Sequence, residues 1–281
     1  MRPISIKIFK RSKETNWVLN IFIGLIIISL FAALLHTLIV RALDKFVPNI
    51  SYEQEVKIWE FIKPSFGFDE NYKLNERYDK DRKAIQALVD ELPTSITAQN
   101  YPQIEILIMH DDYINAFAAP SGKIIITTGL LESLKSENAI MFVIGHEIGH
   151  FVKKDHLHEF ARVISASFFS AMTVNSESII MEILLMIDSE DSRLREYEAD
   201  EWGIKTLMAK YGHIGGATEF FEVLLSSEDE STSDLLDTVS SHPSTISRID
   251  RVLNKIKLDQ LPLEDTKIFL PILVLQPTIM D

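Results

Sequence analysis

The sequence predicts an α+β fold, mainly helical, with a small antiparallel sheet and one N-terminal helix of membrane-spanning length. Three observations predict it. Thr15 to Val40 holds 26 consecutive uncharged residues, mostly Ile, Leu, Phe, Val and Ala, where a hydrocarbon core needs about 20. Short apolar stretches at Ile104–Met109, Tyr113–Ala118 and Lys123–Thr127 have the length and composition of strands. Longer stretches at Tyr72–Leu92, Ser136–Lys153, Asp191–Tyr211, Ala217–Leu225 and Thr245–Ile256 read as helices. With 281 residues, 46% hydrophobic and 25% charged, the chain can bury one good core plus accessory elements.

The N-terminal run is preceded by Arg2, Lys7, Lys10, Arg11 and Lys13 and followed closely by only Arg41 and Lys45. Retained positive charge fixes the cytoplasmic side, so the N-terminus stays inside and the remainder crosses. Trp17 suits an interfacial anchor. A cleaved signal peptide is disfavoured, because the apolar core exceeds the usual length of about 7–15 residues and no A-x-A-like site ends it. Residues 1–16 thus read as a cytoplasmic basic tail, 17–40 as a transmembrane helix, 46–258 as the main domain and 259–281 as a tail or edge strand. The expected placement is a single-pass protein of the cell's inner membrane, with its body periplasmic or otherwise extracytoplasmic.

Charge divides along the same line. Of 28 Lys/Arg and 41 Asp/Glu, residues 1–45 hold seven bases and two acids, so the rest holds 21 against 39. A body this acidic repels nucleic acid and anionic lipid surfaces, which excludes nucleic acid as a partner class. The absence of cysteine excludes disulfide frameworks and thiolate metal sites.

The strands Tyr113–Ala118 and Lys123–Thr127 form a hairpin around Ala119-Pro120-Ser121-Gly122. The apolar region Val163–Ile187 is interrupted by Ser165, Ser167, Ser170, Asn175, Glu177 and Glu182 into pieces shorter than a span. It reads as a helical hairpin packed on the domain or dipping into the interface. The acidic stretch Ser226–Asp237 reads as a solvated loop. Ile268–Leu275 is too short to span, and Pro271 and Pro277 mark an edge strand or docked tail.

Within the helix at Ser136–Lys153 stands His146-Glu147-Ile148-Gly149-His150, an HExxH pentad with Ser136 as N-cap. Residues four apart on a helix share a face, so both imidazoles can reach one metal ion while Glu147 sits beside it. Two neutral His ligands, a third protein ligand, an open position and a carboxylate to take a water's proton constitute the zinc-peptidase solution. Gly145 and Gly149 weaken this helix by about 1 kcal/mol each relative to Ala. Their presence implies close approach of another element or of a substrate backbone. Lys123–Thr127, just upstream, is either a candidate edge for holding an extended peptide by strand addition or a half-buried scaffold strand.

Two candidates compete for the third ligand. His156 lies ten residues after His146, the last position of the metzincin pattern, but Lys153 stands where that pattern has a helix-ending Gly. A helix continuing through Lys153 would carry His156 about 15 Å along the axis from His146. Glu196 is the better candidate. It lies in Ser192-Arg193-Leu194-Arg195-Glu196-Tyr197-Glu198-Ala199-Asp200, a capped helix start that brings Glu196 and Asp200 onto one face. One of these acids can bind the metal while the other hydrogen-bonds the distal nitrogen of a ligand histidine.

Asn115-Ala116-Phe117-Ala118, Gly122 through Leu131, the HEIGH pentad, Ser192 through Asp200, and Ser241-His242-Pro243-Ser244 followed by Arg248-Ile249 together carry a resemblance. From about Pro48 to Ile256 the chain resembles metallopeptidase family 48, which includes HtpX-type membrane proteases, CAAX prenyl proteases and Oma-type and periplasmic quality-control proteases. The resemblance implies a zincin-type (gluzincin) domain with one Zn2+ per chain. It implies ligands His146, His150 and Glu196, general base Glu147, supporting Asp200, and His242 facing the active site. Arg248 joins His242 as a candidate for steadying substrate or oxyanion. Asn138 and Ser244 depart from the family pattern, where an acid and a Pro are common; neither touches the expected chemistry.

The function expected is therefore a membrane-anchored zinc metalloendopeptidase, and the resemblance points to envelope protein quality control. Its partners would be misfolded or membrane-associated polypeptides and the lipid bilayer. Two rivals remain: a zinc-binding chaperone or adaptor without turnover, which would not need Glu147, and a metzincin-type protease using His156.

Overall fold

Helix α1 (Thr15–Phe46) takes in the whole uncharged run and continues past Val40 to Phe46. Its large apolar side chains from Trp17 to Leu38, where described, are 38% to 65% exposed. The computed structural model describes residues 15–68, 72, 74, 76–97, 101–158, 190–230 and 245–263. Among the described residues alone no helix is long and apolar enough to cross a membrane; the 26-residue uncharged run of the sequence lies wholly inside α1. The basic tail, the 163–187 region, His242 and the 268–275 run lie outside the described residues.

A 3-10 turn at Val47–Asn49 leads to α2 (Tyr52–Ile62), an element the sequence reading did not assign. Its signal is Ser51-x-x-Gln54: the Ser51 hydroxyl accepts the Gln54 N–H while the Gln54 side chain accepts the Ser51 N–H. Helix α3 (Glu76–Asp90) is shorter than expected at its start, and a single turn, α4 (Thr94–Thr97), follows.

Three strands, β1 (Glu105–Met109), β2 (Ala116–Ala119) and β3 (Lys123–Thr127), form a sheet in the order β1-β3-β2. The β2–β3 hairpin is antiparallel as expected, with Ser121 and Gly122 both at positive φ. β1 lies parallel to β3, pairing Glu105 with Lys123 and Met109 with Thr127. The sheet is therefore mixed, not antiparallel. The reason is the connection 110–115, which is tied to the end of β3: Thr127 Oγ1 accepts the Asn115 N–H, Thr128 Oγ1 accepts the Asp111 N–H, and the Gly129 N–H bonds the Asp111 carbonyl. Crossing there, the chain places β2 on the far side of β3 from β1.

β3 is thus the central strand, which corrects its reading as an edge for strand addition. Its run Ile124-Ile125-Ile126 lacks polar alternation because both faces are covered. Ile124 and Ile126 join the main core with Ile85, Val89, Ile106, Phe142 and Leu207, while Ile125 packs with Trp59, Ile62 and Phe68 on the other face. The outer edge of β1 is also taken: Gln86 of α3 accepts the Ile106 N–H and donates to the Ile104 carbonyl, and the Tyr72 hydroxyl donates to the Ile108 carbonyl.

After β3, Thr127 caps α5 (Thr128–Ser133) and Ser136 caps α6 (Glu137–Lys153), whose residues through Phe151 are all buried. Glu219 of α8 (Glu219–Glu230) fixes the start of α6, accepting the Lys135 and Ser136 N–H groups at 2.6 and 3.0 Å and the Ser136 hydroxyl at 2.7 Å. A carboxylate there also answers the positive end of the helix dipole. α8 extends to Glu230, so Ser226–Glu230 is helical rather than loop; buried Phe220, Phe221 and Leu224 carry the helix into that stretch. Helix α7 (Glu190–Tyr211) packs along α6, and α9 (Thr245–Leu258) turns Arg248, Val252 and Ile256 inward at a spacing of four.

Candidate metal centre

On α6, His146 and His150 lie one turn apart with their Nε2 atoms 3.2 Å from each other. Glu196 of α7 brings one carboxylate oxygen 3.4 Å from His146 Nε2 and the other 3.6 Å from His150 Nε2. All three side chains are buried. They form the one group of three or more metal-ligating side chains found among the described residues, with ligand atoms within 4.8 Å of one another.

The glycines explain how two helices approach closely enough. A Cβ on Gly149 would lie 2.8 Å from Ala199 Cα, and one on Gly145 would lie 2.4 Å from Thr206 Oγ1 and 3.0 Å from Gly203 Cα. The close approach anticipated at these positions is therefore that of α7, the helix that carries Glu196.

The ring orientations are set from behind. His146 Nδ1 lies 2.9 Å from Asp200 Oδ1, and His150 Nδ1 lies 3.5 Å from Asp155 Oδ2. Burial raises the Asp200 carboxyl, but the charge and hydrogen bonds of Arg248, with His146, hold it below the usual aspartate value. With Nδ1 facing Asp200, the His146 ring turns its Nε2 toward the cluster.

Arg248 is fully buried and fork-bonded to Asp200, with Nε to Oδ2 at 2.9 Å and Nη2 to Oδ1 at 2.6 Å. Its Nη1 is 3.0 Å from Glu196 Oε2, and its Nη2 is 3.3 Å from His146 Nδ1. Burial pushes its pKa down, but the charges of Asp200 and Glu196 push it up, and the upward effect prevails. Nε and Nη2 of Arg248 are thus bonded to Asp200, and Nη1 lies at ion-pair distance from Glu196.

His156 does not join the cluster. α6 ends at Lys153, where the sequence reading ends it, and Lys154 takes the left-handed conformation with φ 58°. The chain then turns His156 toward α2, with Nε2 3.1 Å from the Tyr101 hydroxyl and 3.4 Å from Glu55. Glu196, and not His156, lies with the two histidines in the group that could hold a metal ion. Asp155 and Glu55 were missed by the sequence reading. An acid five residues beyond the pentad can approach His150 only once the helix has reversed, and no glycine announces that reversal.

The residues present fit a zinc ion. Tetrahedral ligands about 2.0–2.1 Å from zinc lie roughly 3.3 Å from one another; the two Nε2 atoms here are 3.2 Å apart, and one ligand atom from each of the three residues falls within 4.8 Å of the others. Two imidazole lone pairs and a carboxylate converging in a buried place are all electron-rich, and a cation satisfies them together.

The family model described as Peptidase family M48 matches residues 79–256. The chain is 31% identical over 146 residues to the mitochondrial metalloendopeptidase OMA1 of Arabidopsis thaliana, covering 50% of this chain and 29% of that protein. It is 26% identical over 208 residues to the mitochondrial metalloendopeptidase OMA1 of Bos taurus, covering 65% of this chain and 39% of that one. With the metalloprotease LoiP of Escherichia coli (strain K12) it shares 27% over 189 residues, 63% of this chain and 71% of the relative. The match thus spans less than half the length of these two OMA1 relatives. Since the family match runs from α3 to α9, takes in both helices of the metal centre and covers more than half of the sequence, the chain belongs to peptidase family M48.

Proposed function

We propose that the protein is a membrane-anchored, zinc-dependent metalloendopeptidase acting on misfolded or membrane-associated polypeptides of the cell envelope. The observation that carries this reading is the convergence of His146 Nε2, His150 Nε2 and the Glu196 carboxylate, beside the buried Glu147. Family membership and the names of the relatives support the hydrolytic class.

His146, His150 and Glu196 would hold the ion, which when bound supplies Lewis acidity that lowers a water's pKa toward about 7 and polarises a carbonyl. Glu147 would accept the proton of the attacking water and return it to the leaving amine. Asp200 and Asp155 would keep the two imidazoles turned inward, and Arg248 would hold Asp200 and Glu196 in register. Steadying the oxyanion falls to His242, a role that rests on the family resemblance. Glu147 has no evident task in a zinc-binding adaptor, which favours turnover over that rival.

Anchoring is supported by α1, whose 32 residues would extend about 48 Å at 1.5 Å per residue, and by its exposed apolar side chains with Trp17 near one end. Basic residues before it orient the N-terminus inward.

Three experiments test the reading. Glu196→Ala should cost far more zinc after dialysis than His156→Ala, and casein hydrolysis by the wild type should stop on addition of a chelator; the reverse ranking of metal loss would return the third-ligand role to His156. Protease added outside spheroplasts should digest the body while the short N-terminal tail stays protected. A body that resists until the membrane is lysed would reverse the orientation and move the substrates to the cytosolic side.

A further inference from the structure

Immediately beyond the metal helix, three consecutive residues make three different connections. Lys154 Nζ donates to the carbonyls of Pro48 and Ile50, in the segment joining α1 to α2. Asp155 faces His150 Nδ1. His156 reaches Glu55 of α2 and Tyr101, and its Nδ1 lies 3.4 Å from the His150 carbonyl oxygen.

The Asp155 contact depends on the reversal at Lys154. On an unbroken helix a residue five positions on lies about 7.5 Å along the axis and well round the cylinder, out of reach of the His150 ring. The reversal is not free, because in the left-handed region a non-glycine residue's Cβ crowds the following carbonyl. Something must hold it.

Glu55 has the connections to do so. It is buried, and it accepts the Tyr101 hydroxyl at 2.9 Å and the Ser121 N–H at 2.9 Å, with His156 Nε2 at 3.4 Å from the same oxygen that Ser121 bonds. Burial raises this carboxyl, yet the His156 hydrogen bond and the Ser121 N–H hold it below the usual glutamate value. A buried carboxylate with every partner in place is a rigid fixture, and one that loses a partner is costly. Here one fixture joins α2, the β2–β3 turn and the segment after α6.

We propose that Glu55 is a positioning residue for the metal centre, fixing through Tyr101 and His156 the turn at 154–156 whose Asp155 holds His150 toward the metal. The inference rests on the metal-site reading above. It gives α2, which follows α1 by a short connection, a direct structural link to a metal ligand.

The test uses the full chain in detergent, titrated with Zn2+ against a chelating dye and separately with Co2+ for its visible absorption. Wild type is compared with Glu55→Gln, Asp155→Asn, the double variant, and Val89→Ala, a core substitution on α3 that serves as a control for lost stability. Glu55→Gln and Asp155→Asn should each weaken zinc binding by about tenfold or more, and both should shift the Co2+ spectrum. The double variant should bind about as weakly as the weaker single variant, because both act through one turn. Val89→Ala should lower the melting temperature without changing either metal readout. If Glu55→Gln does not fold, Tyr101→Phe removes a single hydroxyl from the same network and should weaken zinc in the same direction. Wild-type zinc affinity and an unshifted spectrum in Glu55→Gln, or losses that multiply in the double variant, overturn the inference. A wild type that takes up neither metal overturns the metal-site reading itself, a result distinct from either of these.

Discussion

Glu147→Gln is expected to retain about one zinc per chain and to lose peptide hydrolysis by a factor on the order of 10²–10⁴, the usual contribution of a positioned acid–base group. The substitution keeps the volume of a buried side chain on a helix that has no spare room, so fold and metal uptake should survive. An amide neither accepts the water's proton nor returns it to the leaving amine. Metal content by atomic absorption and turnover of casein or a quenched peptide, measured on the same preparation, separate the two effects. Near wild-type turnover in a zinc-loaded variant would remove Glu147 from the mechanism.

Arg248→Met should be the most destabilising change at the site. Arg248 is fully buried, bridging Asp200 and Glu196, and its removal leaves two carboxylates in the interior without their cation. Breaking a buried pair in this way costs about 3–5 kcal/mol, most fully in metal-free protein, since a bound zinc would offset part of the exposed negative charge. The pH dependence carries a sign. Asp200 is held below its ordinary pKa in the folded chain, so its contribution is present above the unfolded-state value and is lost as pH falls through the folded one. Without Arg248, burial would raise that carboxyl instead, so the gap between variant and wild type should begin to narrow above about pH 4, as the variant's carboxyl takes up its proton, and go on narrowing below it as the wild type loses its own contribution. Thermal or urea unfolding of metal-free protein measures both effects. A loss under about 1 kcal/mol at neutral pH would mean that the carboxylates do not need the guanidinium.

The order in which the chain was legible follows from the range of the interactions involved. The HExxH pentad fixes two ligands and a carboxylate by helix geometry alone, because His146 and His150 are neighbours on one face wherever the helix lies. Glu196 and Asp200 share a face for the same reason, and Ser136 announces its cap to anything that can count three residues onward. The strand Lys123–Thr127 was readable to the residue, since three consecutive isoleucines suit little else. Helix α2 was equally local, marked by its capping box.

What the tertiary structure alone decided lies between segments distant in the chain. Whether Glu196 or His156 faces the histidines depends on how α7 lies against Gly145 and Gly149, and on a helix stop at Lys154 that no local residue preference signals. Arg248 reads in sequence as a charge on a helix; that it faces inward with Val252 and Ile256 follows from their spacing, but that two carboxylates wait for it follows only from the packing of α9 on α7. The parallel pairing of β1 with β3 was hidden for the same reason, because register across a sheet is set by where a connecting loop crosses, not by the strands' own residues. Local periodicity and capping are carried by neighbouring residues and survive in the sequence; burial, charge pairing and close helix approach are properties of surfaces that exist only once the chain has folded.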